Sequence, residues 1–453
     1  MTLQEYLSDL HGKRVAVIGV GVSNTPLIEL LLDNGISVTA CDRNTRDKFG
    51  DLADRLESKG AELRLGDDYL SGLDHDVIFK TPGMRPDIPQ LLEAKKQGSV
   101  VTSEMEVFFD VCPCKIVAVT GSDGKTTTTT IIAKLLEAAG YTVHLGGNIG
   151  KPLLAEAGMI KAEDYAVVEL SSFQLMTMKR SANISVVTNI APNHLDYHTD
   201  MGEYTLSKKN IYAYQSVGDL LVLNADNDIT AAAAGEAKGE LRMFSRRDKV
   251  ENGCWFNGDA IFYNNREIVK RKDIKLPGLH NVENYMAAFA AVIDIVGDDV
   301  CRRVAAEFGG VEHRIELVRE KDGVRYYNDS IASSPSRSIA GLVSFDEKVI
   351  LIAGGYDKNI PYDVLGPVIC QCVKKLVLVG ATSPKIKAAV LECEDAEKPE
   401  IYEFYDFEKA IRGAAALAES GDIVIMSPAS ASFDLFKNFM ERGERFREIV
   451  NSL

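Results

Sequence analysis

The stretch VAVTGSDGKTTTTT, residues 117–130, decides the fold of the central part of the chain. An apolar run typical of a buried strand leads into a glycine-containing turn and then into an amphipathic helix that Gly140 ends. The apolar face of that helix is predicted to hold Ile131, Ile132, Leu135, Leu136 and Ala139. The turn follows the phosphate-binding pattern G-x-x-x-x-G-K-[ST], except that Val119 occupies the position of the first glycine.

This turn carries the chemistry of a phosphate site. Gly121 and Gly124 free the backbone so that successive N–H groups can face phosphate oxygens, and Lys125 supplies a cation. Thr126 and Thr127 offer hydroxyls to phosphate or to Mg²⁺. A threonine-rich turn with a solvated lysine is the structural alternative. The predicted ATP-binding residues of the turn are Gly121, Ser122, Asp123, Gly124, Lys125, Thr126 and Thr127.

The pattern of strand, glycine turn and helix recurs along the chain, which is typical of α/β architecture with parallel sheets. It occurs first at residues 14–35 and again at residues 348–358, after the central copy. A chain of 453 residues has room for about three domains. We predict a Rossmann-like domain at residues 1–103, a central P-loop ATPase domain at 104–311 and a second Rossmann-like domain at 312–453.

The first copy of the pattern resembles a dinucleotide fingerprint. Gly19 and Gly21 form the turn, and Asp42 follows about 20 residues later, where a carboxylate contacts a ribose. Asn24 replaces the third glycine and, with Ser23, is a candidate helix N-cap. An NAD site, a merely structural turn and a site for another nucleotide diphosphate all remain open. Arg43 and the turn at residues 81–86 could complete such a site.

Composition and charge exclude several classes of protein. A net charge of −15 argues against a wide nucleic-acid surface, and no apolar run approaches the ~20 residues that span a bilayer. The opening MTLQEYLSDLHGKR lacks the layout of an export signal. The cysteines include two Cys-x-Cys pairs, Cys112/Cys114 and Cys370/Cys372, without zinc-type spacing. We expect a cytoplasmic monomer with reduced thiols, no nucleic-acid partner and no membrane insertion.

Four further candidate residues follow the phosphate turn. Glu169 ends a buried strand, where a carboxylate suits a hard divalent cation. His194 follows another strand, and Lys208 and Lys209 lie on a predicted helix. Taken singly, each has a structural interpretation: a solvated strand end, a structural histidine and a solvated lysine pair.

The order of the motifs resembles that of the Mur ligases, which build the bacterial cell-wall peptide. The resemblance covers essentially the whole chain, and the segment at residues 427–446 resembles the D-glutamate-adding branch. In this family the loop reads T-G-x-x-G-K-[ST], so Val119 is a family trait. The segments that carry the resemblance are TGSDGKTTT, GGNIG, VVELSSFQL, NHLDYH, SKKNIY, GLHNVENYMAA, EHRIELV, NDSIASSP, GGYDK and SPASASFDLFKNFMERGERF.

The resemblance implies a site for ATP and two Mg²⁺ ions. Lys125 would hold the β- and γ-phosphates, and Thr126 and Glu169 would bind one Mg²⁺. Lys208, carbamylated on its amine, would bind a second Mg²⁺ together with His194. The other matched positions are Asn148 beside the reacting groups, and Asn281, Asn284, His313, Arg314 and Asp329 around the nucleotide.

The resemblance also implies the reaction and its substrates. ATP would phosphorylate the carboxylate of UDP-N-acetylmuramoyl-L-alanine, and the amine of D-glutamate would attack the acyl phosphate. The matched positions for the uridine diphosphate sugar are Gly21, Val22, Ser23, Asn24, Asp42, Arg43, Thr81, Pro82 and Gly83, and those for D-glutamate are Ser333, Lys358, Ser432 and Phe439. The sequence departs from common members at Ile331 and at Tyr356-Asp357.

Three alternatives remain from the sequence. A related Mur or folylpolyglutamate-type ligase would add another amino acid. An NAD-dependent oxidoreductase would use Gly19, Gly21 and Asp42. A non-catalytic regulator would bind ATP without turnover.

Overall fold

The computed structural model describes residues 1–195, 197–358, 360–393 and 396–453. The chain has the predicted α/β fold, with three sheets built largely from parallel strands. Met1–Arg271 and Glu283–Val304 form one compact unit, and Lys272–Val282 and Ala305–Leu453 form a second. The domain limits at 103 and 311 stay predictions.

The first sheet is entirely parallel and has the order β3-β2-β1-β4-β5. Because the chain leaves β1 toward β2 on one side and reaches β4 on the other, the carboxyl end of β1 is a switch point at which ligands bind. The strands are β1 (Val15–Ile18), β2 (Val38–Asp42), β3 (Glu62–Leu65), β4 (Val77–Phe79) and β5 (Val100–Thr102), and the helices are α1 (Leu3–Leu10), α2 (Thr25–Asp33), α3 (Asp51–Ser58), α4 (Pro89–Lys96) and α5 (Glu104–Val111).

The start of α2 differs from the prediction that Ser23 or Asn24 caps it. Asn24 immediately precedes the helix, but its side chain makes no cap hydrogen bond. The buried Nδ2 of Asn24 instead donates to the carbonyl oxygen of Ile18 at 3.0 Å. Asn24 therefore ties the end of β1 to the start of α2.

The second sheet has the order β14-β13-β12-β11-β10-β9-β6-β8-β7. Its strands run parallel except for an antiparallel meander from β12 to β14, which the sequence analysis did not predict. The strands are β6 (Lys115–Thr120), β7 (Val143–Gly147), β8 (Tyr165–Glu169), β9 (Ile184–Val187), β10 (Leu220–Asn224), β11 (Glu240–Ser245), β12 (Gly253–Phe256), β13 (Ala260–Tyr263) and β14 (Arg266–Lys270).

The helices along this part of the chain include the one that the opening stretch predicts. Helix α6 begins at Lys125 and buries Ile131, Ile132 and Leu135, with Ala139 only partly buried after its end. The helices are α6 (Lys125–Ala138), α7 (Ser172–Leu175), α8 (Met201–Lys209), α9 (Asp228–Ala232), α10 (Leu279–Val296) and α11 (Asp298–Glu307). Since β9, β6, β8 and β7 are parallel neighbours, their carboxyl ends meet at one edge of the sheet.

The third sheet has the order β15-β16-β20-β17-β18-β19 and is parallel except for the hairpin of β15 and β16. Separate apolar clusters cover its two faces. The strands are β15 (Glu316–Lys321), β16 (Val324–Asn328), β17 (Val349–Ala353), β18 (Val373–Val379), β19 (Glu400–Phe404) and β20 (Ile423–Met426), and the helices are α12 (Pro335–Leu342), α13 (Leu365–Cys372), α14 (Ser383–Leu391), α15 (Phe407–Ala416) and α16 (Phe439–Ser452). Within the described ranges, none of the helices has both the length and the apolarity to cross a bilayer.

Candidate active site

The predicted phosphate loop lies between β6 and α6, and two of its positions require glycine. Gly121 has φ +152° and Gly124 has φ +77°, a region that L side chains rarely adopt. A Cβ atom would collide with the Thr188 hydroxyl at the first position and with the Asn284 side chain at the second. Because Gly124 is the N-cap residue and has no side chain to accept from the first turn, the start of α6 is a candidate anion site.

Two lysine side chains converge on the loop. The Nζ of Lys125 donates to the carbonyl oxygens of Gly121 at 3.0 Å and Ser122 at 2.8 Å. The Nζ of Lys208, from α8, donates to the same Gly121 carbonyl at 2.7 Å. Lys208 is only 2% exposed. Burial, reinforced by the positive charge of Lys125, lowers the pKa of Lys208 to about 7.

A carboxylate at the end of β8 completes this edge of the sheet. Glu169 is buried, and its two oxygens accept from the Thr126 hydroxyl and from Nδ2 of Asn148, each at 2.7 Å. The structure thus brings together Thr126, Asn148 and Glu169, which the sequence analysis selected separately. Within the described ranges there is no cluster of three or more His, Cys, Asp or Glu residues suited to a metal ion.

Several residues that support the loop were missed by the sequence analysis. The Ser122 hydroxyl donates to the carbonyl oxygen of Ala191 and lies 2.9 Å from the Tyr204 hydroxyl. The Asp123 N–H donates to Oδ1 of Asn189 at 3.0 Å, and its carbonyl oxygen accepts from Thr188 at 2.6 Å. These contacts fix the loop against the segment that follows β9.

His194 lies in that same segment, in the left-handed conformation with φ 54°. Its ring meets the Phe173 ring edge to face at 4.9 Å between centroids. Further ring contacts run from Phe173 to His198 at 5.8 Å and from His198 to Tyr204 at 5.3 Å. The Nζ of Lys208 lies 4.8 Å from the centre of the Tyr204 ring. A series of ring contacts therefore connects His194 with Lys208, and their joint role in metal binding stays a prediction.

The remaining loop and nucleotide candidates of this unit are packed rather than exposed. Thr127 is 7% exposed, and Asn284 is 6% exposed. The Thr128 hydroxyl donates to Oδ1 of Asn284 at 3.2 Å, which holds α10 beside the start of α6. Asn284 thus packs against the start of α6. Asn281, in the second unit, donates to the Pro277 carbonyl at 2.6 Å.

A cavity of about 850 Å³ opens at the carboxyl end of β1. Asp42 lines it, but the two carboxylate oxygens of Asp42 already accept from the N–H groups of Val20 and Asn44, each at 2.8 Å. Arg85, from the turn at residues 81–86 that the sequence analysis proposed for this site, also lines it, as does Tyr197, which the sequence analysis did not assign to a ligand. The predicted nucleotide-sugar residues on its wall are Gly21, Val22, Ser23, Asn24, Asp42, Arg43, Thr81 and Gly83, whereas Pro82 is not among the lining residues.

In the second unit, Asp329 ends up buried after β16. Its Oδ2 accepts from the Ser427 hydroxyl at 2.7 Å, and its Oδ1 accepts from the Ile315 N–H at 3.3 Å. Burial raises the pKa of Asp329 to about 7, despite the nearby positive charge of Arg314. His313 has φ 62°, and its Nδ1 lies 3.0 Å from Nδ2 of Asn328.

The predicted D-glutamate residues also lie in the second unit. The Nζ of Lys358 lies 6.0 Å from the centre of the Phe433 ring. Ser432 is 2% exposed, and Ser333 is half-buried. The Phe439 carbonyl oxygen accepts from the Ser330 hydroxyl at 2.7 Å.

Arg442 connects two turns that carry predicted D-glutamate residues. It is buried and donates to the carbonyl oxygens of Ser330, Ser430 and Ala431. This link ties the turn that contains Ser432 to the turn that contains Ser333.

Known proteins that resemble this chain decide its family. Residues 119–292 match the Mur ligase middle domain, and residues 313–430 match the Mur ligase glutamate ligase domain. The UDP-N-acetylmuramoylalanine–D-glutamate ligase of Acetivibrio thermocellus is 55% identical over 460 residues, which cover 100% of this chain and 99% of that protein. The protein of the same name in Clostridium novyi is 50% identical, and the match covers 100% of this chain and 99% of that protein. The chain belongs to the Mur ligase family.

Solved Mur ligase structures share the fold. The UDP-N-acetylmuramate-alanine ligase MurC from Thermotoga maritima has a TM-score of 0.60 and 18% identity, over 97% of this chain and 99% of that chain. A pseudomurein peptide ligase type C from Methanothermus fervidus has a TM-score of 0.53 and 19% identity, over 97% of this chain and 100% of that chain. These likenesses confirm the three-domain Mur ligase fold. Mur ligases are ATP-dependent, which fits the phosphate loop of this member.

Proposed function

We propose that this Mur ligase joins D-glutamate to UDP-N-acetylmuramoyl-L-alanine in the synthesis of peptidoglycan precursors. The observation that supports this choice most directly is the relative of that name, 55% identical along the whole chain. The expectations of a cytoplasmic monomer without a nucleic-acid partner belong to the same proposal. An NAD-dependent oxidoreductase has no comparable support, because its basis is a partial glycine fingerprint alone.

The reaction proceeds in two steps. A carboxylate oxygen of the L-alanyl acceptor attacks the γ-phosphorus of ATP, the bond to the β-phosphate oxygen breaks, and ADP leaves. The amine nitrogen of D-glutamate then attacks the carbon of the acyl phosphate, loses a proton, and expels inorganic phosphate through a tetrahedral intermediate. Because negative charge gathers first on phosphoryl oxygens and then on the oxyanion, fixed cations and N–H donors stabilise both steps.

The loop supplies those donors. The backbone N–H groups in the first turn of α6 and the ammonium group of Lys125 would bind the β- and γ-phosphates. In this structure the Lys125 ammonium contacts the Gly121 and Ser122 carbonyl oxygens, so it is held next to the loop and only has to turn toward a phosphate oxygen. Ser122, Asp123 and Thr127 belong to the same proposed set.

The residues beside the loop fit a magnesium ion. The Thr126 hydroxyl and the Glu169 carboxylate are hard oxygen ligands 2.7 Å apart, so both can reach one ion. Mg²⁺ supplies charge neutralisation for the phosphoryl group when it is bound. Asn148 donates to Glu169 and so orients the carboxylate that would hold the ion.

Lys208 fits the proposed carbamylation. An amine reacts with carbon dioxide only in its neutral form, and the lowered pKa of about 7 makes that form abundant near neutral pH. The nitrogen of the neutral amine forms a bond to the carbon of carbon dioxide and loses one proton, which leaves a carbamate anion with two oxygen ligands. That carbamate, with His194, is the proposed ligand set for a second Mg²⁺.

The choice of amino acid rests on the second unit. D-glutamate carries two carboxylates, which call for a cation and hydrogen-bond donors. Lys358 and the hydroxyls of Ser333 and Ser432, near the Phe439 backbone, are the proposed partners. The proposed nucleotide contacts on this unit are Asn281, Arg314 and Asp329.

Acceptor dependence of phosphate release tests the proposal. Release from ATP should require UDP-N-acetylmuramoyl-L-alanine and D-glutamate together, with omission of either as the control. Preference for L-alanine, L-lysine or a folate acceptor would assign the chain to another ligase. ATP binding without any acceptor-dependent release would support a regulator instead.

A further inference from the structure

Arg85 is fully engaged at the wall of the nucleotide-sugar pocket. Its Nε and Nη2 donate to the two oxygens of Asp87 at 2.9 and 2.8 Å. Its Nη1 and Nη2 donate to the two oxygens of Glu203, both at 3.0 Å, and Nη1 also donates to the Tyr197 carbonyl oxygen at 2.6 Å. A guanidinium has five N–H groups, so every donor of Arg85 has an acceptor.

These contacts join parts of the chain that are far apart in sequence. Arg85 and Asp87 follow β4 in the first sheet, whereas Glu203 lies in the first turn of α8 beside the second sheet. Hydrogen bonds from Arg85 lower the pKa of Glu203 to about 2, so this carboxylate is ionised near neutral pH. Glu203 also accepts from the Thr199 N–H at 2.8 Å. Arg85 therefore fixes the beginning of the helix whose other end carries Lys208.

Tyr197 also takes part in the contacts that Arg85 makes. The Arg85 guanidinium lies 5.5 Å from the centre of its ring, and the Phe173 ring packs on it at 4.2 Å. Tyr197 lines the nucleotide-sugar cavity. Its hydroxyl is buried and finds no hydrogen-bond partner within the described part of the chain. A buried polar group without a partner is costly and calls for an explanation, for which a ligand is one source.

We propose that Tyr197 is a binding residue for the nucleotide-sugar substrate and that Arg85 and Glu203 position it. The Tyr197 hydroxyl would hydrogen-bond an oxygen of the bound diphosphate or sugar, from the side of the second sheet. Arg85 would transmit the presence of that substrate to α8, and so to Lys208. This inference rests on the proposed function, because it takes the cavity to be the nucleotide-sugar site.

The test compares two substitutions with a matched control. Tyr197→Phe removes one hydroxyl and should raise both KM and Kd for UDP-N-acetylmuramoyl-L-alanine roughly 3- to 10-fold, the range of one neutral hydrogen bond. KM for ATP should not change. Arg85→Lys keeps the charge but loses the paired geometry, and it should lower kcat/KM for the same substrate roughly 10-fold or more while also lowering kcat.

Arg242 provides the control. It donates to Glu240, to Asp294 and to the Ala290 carbonyl oxygen, and it lies 5.7 Å from the centre of the Tyr263 ring. Arg242→Lys therefore removes a similar set of contacts away from the cavity. It should lower the thermal midpoint while leaving KM for the nucleotide sugar unchanged.

The outcomes separate the two proposals. Calorimetric binding of the nucleotide sugar to the unmodified enzyme comes first, and failure to bind or turn it over overturns the proposed function. If that enzyme is active but Tyr197→Phe leaves KM and Kd unchanged, the assignment of Tyr197 is wrong. If Arg85→Lys changes only the thermal midpoint, as the control does, Arg85 has a merely structural role and the positioning part is wrong.

Discussion

Replacing Glu104 with glutamine should stabilise the protein at alkaline pH and not at acidic pH. Glu104 is the first residue of α5 and is 7% exposed. Its Oε1 accepts from the Leu154 N–H at 2.8 Å. Burial raises the pKa of Glu104 from 4.5 to about 7, more than its hydrogen bonds from backbone N–H groups lower it.

The size of the effect follows from that change in pKa. At about 1.4 kcal/mol per pKa unit, the rise corresponds to roughly 3 kcal/mol of unfolding free energy. Because the folded-state pKa is raised, the protonated carboxyl favours the folded state fully below about pH 4.5, and this advantage is lost as pH rises through about 7. Glutamine keeps the acceptor for Leu154 and carries no charge. An unmatched amide N–H₂ would reduce the gain by about 1 kcal/mol.

Unfolding midpoints of the two proteins at pH 5.5 and pH 8.5 measure this effect. Midpoints in urea are the suitable readout, because a multidomain chain need not unfold in a single step. The gain of the Glu104→Gln variant over the unmodified protein should be clearly larger at pH 8.5 than at pH 5.5, because at pH 5.5 only part of the unfavourable free energy of the buried charge has developed. Glu93→Gln, on the exposed side of α4, is the control and should show no such gain. If the unfolding midpoints of the Glu104 variant and the unmodified protein differ by the same amount at both pH values, the carboxyl does not titrate in the buried site and the reasoning is refuted.

Two predictions concern the active site. Lys125→Ala should lower kcat roughly 10²- to 10³-fold in the phosphate-release assay, the scale of one preorganised transition-state donor, and near-normal kcat would remove Lys125 from the proposed mechanism. Lys208→Ala should be inactive and partly rescued by formate, whose carboxylate replaces the carbamate oxygens. A folded Lys208→Ala protein that short carboxylic acids do not rescue would argue against carbamylation.

Local patterns in the sequence predicted the elements that carry the active site. The strand, turn and helix around Lys125 lie where the opening stretch indicates, because apolar periodicity and glycine positions act over a few residues. Glu169 meets Thr126 for a similar reason. Each follows a strand of one parallel sheet, and the carboxyl ends of adjacent strands meet at one edge.

Contacts between distant segments were not predictable in this way. Arg85 and Glu203 are 118 positions apart, and no local pattern links the two. Asn24 has the residue type and position of an N-cap, but its side chain donates to the nearby Ile18 carbonyl oxygen instead. The antiparallel strands after β11 were missed because short apolar runs in a chain of strand–helix repeats do not reveal their direction.

The departure of the loop from the common phosphate-binding pattern has a structural reason. Val119 is not part of the turn: it lies within β6, fully buried, paired with Glu169 of β8 and Val186 of β9. Its carbonyl oxygen accepts from the Leu170 N–H at 2.9 Å. This pairing sets the register of β8, and a register change of one residue would turn Glu169 to the other face of the sheet. The strand therefore extends to Thr120 and the turn begins at Gly121, so the position of the first glycine lies inside a strand, where a β-branched residue is favoured.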